Sequence, residues 1–243
     1  MSNPIQFDHL SVLASNLLDP AFDLINILQA SNPSRPNRMQ SSIVEHTYSA
    51  SIILLCTTAI ESSIRRIQYF HKDDTWTALR YAESAFPDCP YLQHLAEVFT
   101  VRDAIAHNHL WLTSVIRSRP NSVRLNKTEL VPGSGDKRFQ SVLNKKTYKT
   151  KILKLNLRPT SLCRRDVSTV LAVTSNVLFY LERKDPSHAS TVTGRYYSLG
   201  TEHYKLPEAV AIVNKRWRTA SARRRARTHN RRNHVAPFVD KRG

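Results

Sequence analysis

Apolar residues recur at three- and four-residue steps through most of the first 108 positions, a period that predicts helices. Leu10 to Gln29 is the first such run, with Pro20 expected to break or kink it after Asp19. Ser31-Asn-Pro-Ser-Arg-Pro-Asn37 reads as a linker by composition. A long amphipathic run extends from about Met39 to Phe70, with Ile43, Thr47, Leu54, Ile60, Ile64 and Ile67 as candidate core positions. A shorter helix is predicted over Asp74 to Phe86, where Pro87 and Pro90 forbid continuation. Another begins near Tyr91 and loses helical character around Asn108.

The pattern then changes. Residues 110–160 contain β-like runs, Leu110 to Ile116 and Thr150 to Leu157, the second partly alternating Lys with apolar residues. Val131-Pro-Gly-Ser-Gly-Asp136 between them is a turn signature. Helical periodicity returns over Arg165 to Arg183, through Val167, Val170, Leu171, Thr174, Val177, Leu178 and Leu181. Beyond Asp185 the pattern weakens, although Arg195 to Gly200 and Pro207 to Val213 suit short segments docked on the body. No acid interrupts the basic residues from Lys215 to Arg232, and such a block repels itself until it meets an anion. The expected organisation is a helical domain over residues 1–185 with a β-rich insertion at 110–160. A basic, partly disordered extension over 186–243 follows it.

Charge narrows the choice of partner. The formal net charge is +17, which points first to nucleic acid and second to an anionic membrane surface. Met1 to Leu10 lacks the basic region and apolar segment of a signal peptide, and Ile52 to Cys56 is too short to span a bilayer. A soluble, cytoplasmic protein without a membrane partner is therefore expected, nuclear as an alternative in a eukaryotic host. Cys56, Cys89 and Cys163 are odd in number and lack Cys-x2-Cys spacing, so neither a disulfide framework nor a zinc finger is predicted. Five glycines form no phosphate-binding loop. No metal or cofactor is expected.

The most informative segment is Arg102-Asp103-Ala104-Ile105-Ala106-His107, at the end of the helix that starts near Tyr91. Leu92, Leu95, Phe99, Arg102 and Ala106 share a stripe, so Arg102 falls among apolar positions, where a guanidinium must be paired or used. Asp103 and His107 are four residues apart and lie on one helical face within reach of each other. A carboxylate there would orient the imidazole, while Arg102 approaches from about 140° around the helix. A bidentate cation beside a titratable group suits phosphoryl chemistry. The alternative reading is structural: a core arginine paired with Glu61 of the preceding long helix, and a histidine capping the helix C-terminus. His107-Asn108-His109 also spells HNH, but endonucleases of that name draw the three residues from separated positions around a metal.

The segment resembles the Arg-x4–6-His motif of the HEPN superfamily, with Asp103 in the polar place after the arginine, often Asn in the family. The resemblance covers roughly residues 8–185. It implies a mainly α fold, a four- or five-helix up-and-down bundle with the motif closing the third main helix. The small β-rich insertion and the basic tail would be additions to that bundle. It further implies a metal-independent endoribonuclease that leaves 2′,3′-cyclic phosphate and 5′-hydroxyl ends, works as a homodimer, and serves as a toxin or antiviral defence effector. An antitoxin or regulatory protein would be a further partner. Carried onto this chain, His107 is the catalytic proton-transfer group, Arg102 binds the scissile phosphate and Asp103 orients the histidine. His109, at the six-residue spacing, is the second candidate. Some family members only bind RNA, so a non-catalytic RNA-binding or RNP-assembly protein is the alternative.

The tail supplies the expected RNA-binding residues: Lys215, Arg216, Arg218, Arg223, Arg224, Arg225, Arg227, Arg231 and Arg232 for phosphates, with Trp217 stacking on an unpaired base.

Overall fold

The computed structural model describes residues 13–31, 43–75, 77–107, 111–119, 122–131 and 133–217. It is mainly helical, with small antiparallel strand pairs. A short 3-10 turn, Ala14–Leu17, leads into α1, Leu18–Ala30. Pro20 does not break α1. It is the third residue of the helix, where the backbone N–H has no intrahelical partner and its absence costs little. The predicted linker at residues 31–37 lies outside the described residues except for Ser31.

The longest helix, α2, spans Ile43–Phe70 and packs against α1, α3 (Ala78–Ala85), α4 (Leu92–Ala106) and α6 (Arg164–Lys184). Its buried stripe runs through Ile52, Ile53, Cys56, Ala59, Ile60, Ile64 and Ile67, all fully excluded from solvent. Two expected core positions differ: Thr47 is exposed and Leu54 only half-buried, because they sit at the edge of this stripe. The Ile43 side chain is outside the described set. Within the described residues α2 is the one helix long and apolar enough to cross a membrane, but its apolar stripe is covered by the neighbouring helices.

The third helix is shorter than predicted. Asp73 Oδ1 accepts the Thr75 N–H at 2.7 Å, forming a turn, and Thr77 caps α3 by accepting from the Arg80 N–H. In α6 all seven predicted core positions are buried.

Between α4 and α6 the chain forms a hairpin, β1 (Trp111–Arg119) with β2 (Ser122–Leu130), in a register that pairs Trp111 with Leu130. A short helix, α5 (Lys137–Val142), and a two-residue pair, β3 (Leu143–Asn144) with β4 (Lys149–Thr150), follow. The predicted strand over Thr150 to Leu157 is not formed beyond Thr150. Three of its backbone donors go to buried carboxylates instead: Glu97 of α4 accepts from the N–H groups of Ile152 and Leu153 at 2.7 Å each. Asp166 of α6 accepts from the Asn156 and Cys163 N–H groups at 3.0 Å.

The expected boundary near Asp185 is not a boundary of packing. Residues after it form a hairpin, β5 (Tyr196–Leu199) with β6 (Glu202–Lys205), and a helix, α7, over 206–217. Val192, Tyr197, Leu199, Leu206, Ala209 and Val213 are buried in the common core. The hairpin is locked to α1: Asn26 donates to the Ser198 carbonyl and accepts from the Gly200 N–H, and the Phe22 and Tyr197 rings sit 5.0 Å apart. Gly200 supplies the positive φ (70°) that this two-residue turn requires. Aromatic and branched residues spaced by turns were too sparse for a periodic signal, yet they carry enough apolar area to dock.

Two stability outcomes are expected. Glu97→Leu leaves two backbone donors unpaired beside α4 and lowers unfolding stability by about 2 kcal/mol or more, read by urea denaturation. A chain cut after residue 185 loses the buried residues of β5, β6 and α7, and fails to unfold cooperatively in the same assay.

Candidate functional site

The Arg102 segment closes α4, the third of the longer helices in chain order. Val98, Phe99, Val101 and Ala104 are buried and hold this end of the helix on the core. Arg102, on the neighbouring face, is only partly covered. Its Nη1 donates to Glu61 Oε2 of α2 at 2.8 Å, and its Nε lies 2.8 Å from Asp103 Oδ1, an ion-pair contact rather than an aligned hydrogen bond. The guanidinium carbon stands 5.4 Å from the Phe99 ring centroid, so one face is covered by an aromatic surface. Side-chain exposures of 26% for Arg102, 28% for Glu61 and 32% for Asp103 leave the cluster at the surface, in reach of a solute. Nη2 makes no hydrogen bond to a described residue.

Glu61, weighed from sequence as a structural partner for Arg102, does pair with it. The expected Asp103–His107 contact is not present. Asp103 turns its carboxylate to the adjacent guanidinium, which offers a permanent charge at ion-pair distance. Only the backbone joins the two residues, with the His107 N–H donating to the Asp103 carbonyl at 2.9 Å. His107 is the C-terminal cap of α4 (φ −99°, ψ 9°), its side chain exposed and without a hydrogen bond or ion pair among the described residues. His109 lies outside the described residues.

The basic set divides. Lys215 and Arg216 are exposed on α7, and Arg216 Nη1 donates to Gln29 Oε1 of α1 at 3.0 Å. Trp217 is not available for stacking on a base. It is 7% exposed and belongs to the hydrophobic core, because α7 places it one turn after buried Val213. Arg218, Arg223, Arg224, Arg225, Arg227, Arg231 and Arg232 lie outside the described residues.

The cysteines are chemically quiet. Burial pushes Cys56 up to about 12, and burial with the nearby Asp166 carboxylate pushes Cys163 up to about 12, so neither is a nucleophile at neutral pH. The sequence reading missed a different group: His71, Asp185 and His188 meet where α2 and α6 end, with the Tyr81 hydroxyl against His71. No single segment carried a recognisable ligand spacing, since His71 is 114 positions from Asp185 along the chain.

Comparison with protein-family models, with curated proteins and with solved structures finds no match to this chain.

Two outcomes follow from this geometry. A double-mutant cycle with Glu61→Gln and Arg102→Gln gives a coupling of about 1 kcal/mol, since both groups keep partial access to water. Trp217→Ala costs about 3 kcal/mol or more in chemical unfolding.

Proposed function

We propose that this protein is a metal-independent endoribonuclease of the HEPN type, with Arg102 and His107 at its reaction centre. The observation that carries this reading is a guanidinium oriented by two carboxylates at the same helix end as an exposed imidazole, which has no hydrogen bond or ion pair among the described residues. Glu61 and Asp103 hold Arg102 by Nη1 and Nε, and Nη2, without a hydrogen bond among the described residues, can donate to a phosphate oxygen. In the reaction, the ribose 2′-oxygen attacks phosphorus while a base takes its proton. The bond to the 5′-oxygen breaks, and that oxygen leaves with a proton from an acid. His107 would supply one of these transfers, and its copy in a homodimer the other. The products are a 2′,3′-cyclic phosphate and a 5′-hydroxyl. The +17 charge favours RNA capture, with exposed Lys215 and Arg216 and the basic residues beyond them adding phosphate contacts. A cytoplasmic toxin or defence effector, restrained by an antitoxin or regulatory protein, is the corresponding role.

A second reading has its own support. Two carboxylates around one guanidinium leave the cluster with a net negative charge, which opposes a phosphate, and Asp103 does not orient His107. This favours a non-catalytic RNA-binding protein on the same scaffold.

Incubation of RNA with the full chain in EDTA separates the two. The nuclease reading expects cleavage to cyclic phosphate ends, reduced by about 10²-fold or more in His107→Ala and comparably in Arg102→Ala. His107→Ala removes an exposed side chain, so folding is retained and its activity is decisive. RNA bound with a steep salt dependence but left intact would overturn the nuclease reading in favour of the binding one.

A further inference from the structure

Ten residues beyond Glu61, about 15 Å further along α2, three potential metal donors converge. His71 follows the last residue of α2, Asp185 is the C-terminal cap of α6, and His188 lies in the loop after it. His71 Nε2 is 2.9 Å from Asp185 Oδ2, and His188 Nδ1 is 3.0 Å from Asp185 Oδ1. One donor atom from each residue can be chosen so that all three lie within 4.8 Å of one another. From this we infer that His71, Asp185 and His188 form a binding site for a divalent transition metal, zinc being the best fit.

The donor set matches the ion. Two imidazoles and a carboxylate with a position left for water is a common zinc arrangement, at ligand distances of about 2.0–2.2 Å. A tetrahedral set at those distances separates its donors by about 3.3 Å, so the two histidine–carboxylate contacts open by a few tenths of an ångström and the two histidine nitrogens, now within 4.8 Å, come to the same spacing. His71 is 41% exposed and His188 35%, which gives an entry path, while Asp185 is only 12% exposed and keeps its carboxylate in place.

The surroundings hold the ligands in position, as metal sites require. Tyr81 Oη lies 2.6 Å from His71 Nδ1, the ring nitrogen that faces away from the site. The Tyr81 hydroxyl is placed to accept a hydrogen bond from the Nδ1–H of a coordinated His71. His188 stacks on Phe70 with centroids 4.8 Å apart, and its carbonyl accepts from Arg66 Nε at 2.8 Å. Lys184, the cation next to Asp185 in sequence, is turned towards Asp88 instead. A bound ion would replace the two histidine–carboxylate contacts and staple the ends of α2 and α6. The site is separate from Arg102, so zinc binding and chelator-resistant RNA cleavage are independent outcomes.

Titration of metal-stripped full-length protein with zinc, followed by calorimetry and thermal melting, tests the site. One saturable equivalent is expected, with a rise in melting temperature. Cobalt substituted for zinc should give the visible absorption of a four-coordinate centre. His71→Gln and His188→Gln should each weaken zinc binding by tenfold or more and abolish both the melting shift and the cobalt spectrum. Tyr81→Phe keeps the buried ring and should weaken binding about tenfold at unchanged stoichiometry. Absence of a saturable equivalent at about 100-fold excess zinc would overturn the proposal. So would equal affinity in wild type and both glutamine variants with circular dichroism unchanged, since the zinc would then sit on other histidines.

Discussion

Burial of α2 is the constraint on which the rest of the structure depends. Seven side chains from Ile52 to Ile67 are removed from water, and no single partner helix could cover them. At about 25 cal/mol per Å² of apolar area, that surface drives α1, α3, α4 and α6 to close around one axis. Each element then has its polar edge placed by the way its apolar edge meets α2. Arg102 reaches Glu61 because α4 packs against α2, and Asp185 reaches His71 because the last turn of α6 ends beside the last turn of α2.

Buried carboxylates do the second part of the work. Glu97 and Asp166, both almost fully enclosed, accept backbone N–H groups from the segment between β4 and α6. An ionised carboxylate without partners would be costly inside a protein, and a loop with orphaned donors would be equally costly. Each satisfies the other, so an irregular segment is held without a strand ladder. Arg164 does the corresponding service at the end of α1, where its Nη2 donates to the Leu28 and Ser31 carbonyls. These contacts are why the middle segment and the N-terminal helix belong to the same body.

Much of the helical framework was legible in the chain itself. The 3.6-residue period over Arg165 to Arg183 identified seven core positions of α6, leaving out Val173 and Tyr180, and the runs for α2 and α4 ended within a few residues of their observed limits. Glu61 was also visible as a partner for Arg102, since a guanidinium on an apolar stripe requires an anion on a neighbouring helix. Less was legible where partners are distant. Asp103 and His107 share a helical face, yet Asp103 prefers the permanent charge beside it. Trp217 sits in a run of basic residues but follows the buried side of α7, and local composition concealed that.

The sequence by itself determined the periodic elements and the strong positive charge. It also determined the arginine and histidine that close α4, because these depend on neighbours within one or two turns. Only the tertiary structure decided which groups meet. It joined residues 186–217 to the core through Tyr197, Val213 and Trp217, and it gave Arg102 two carboxylates. It also brought His71 to Asp185 and His188 across 114 positions of chain. The physical reason is that helix formation reads local spacing, whereas a charged side chain selects its partner after the packed helices have set the distances.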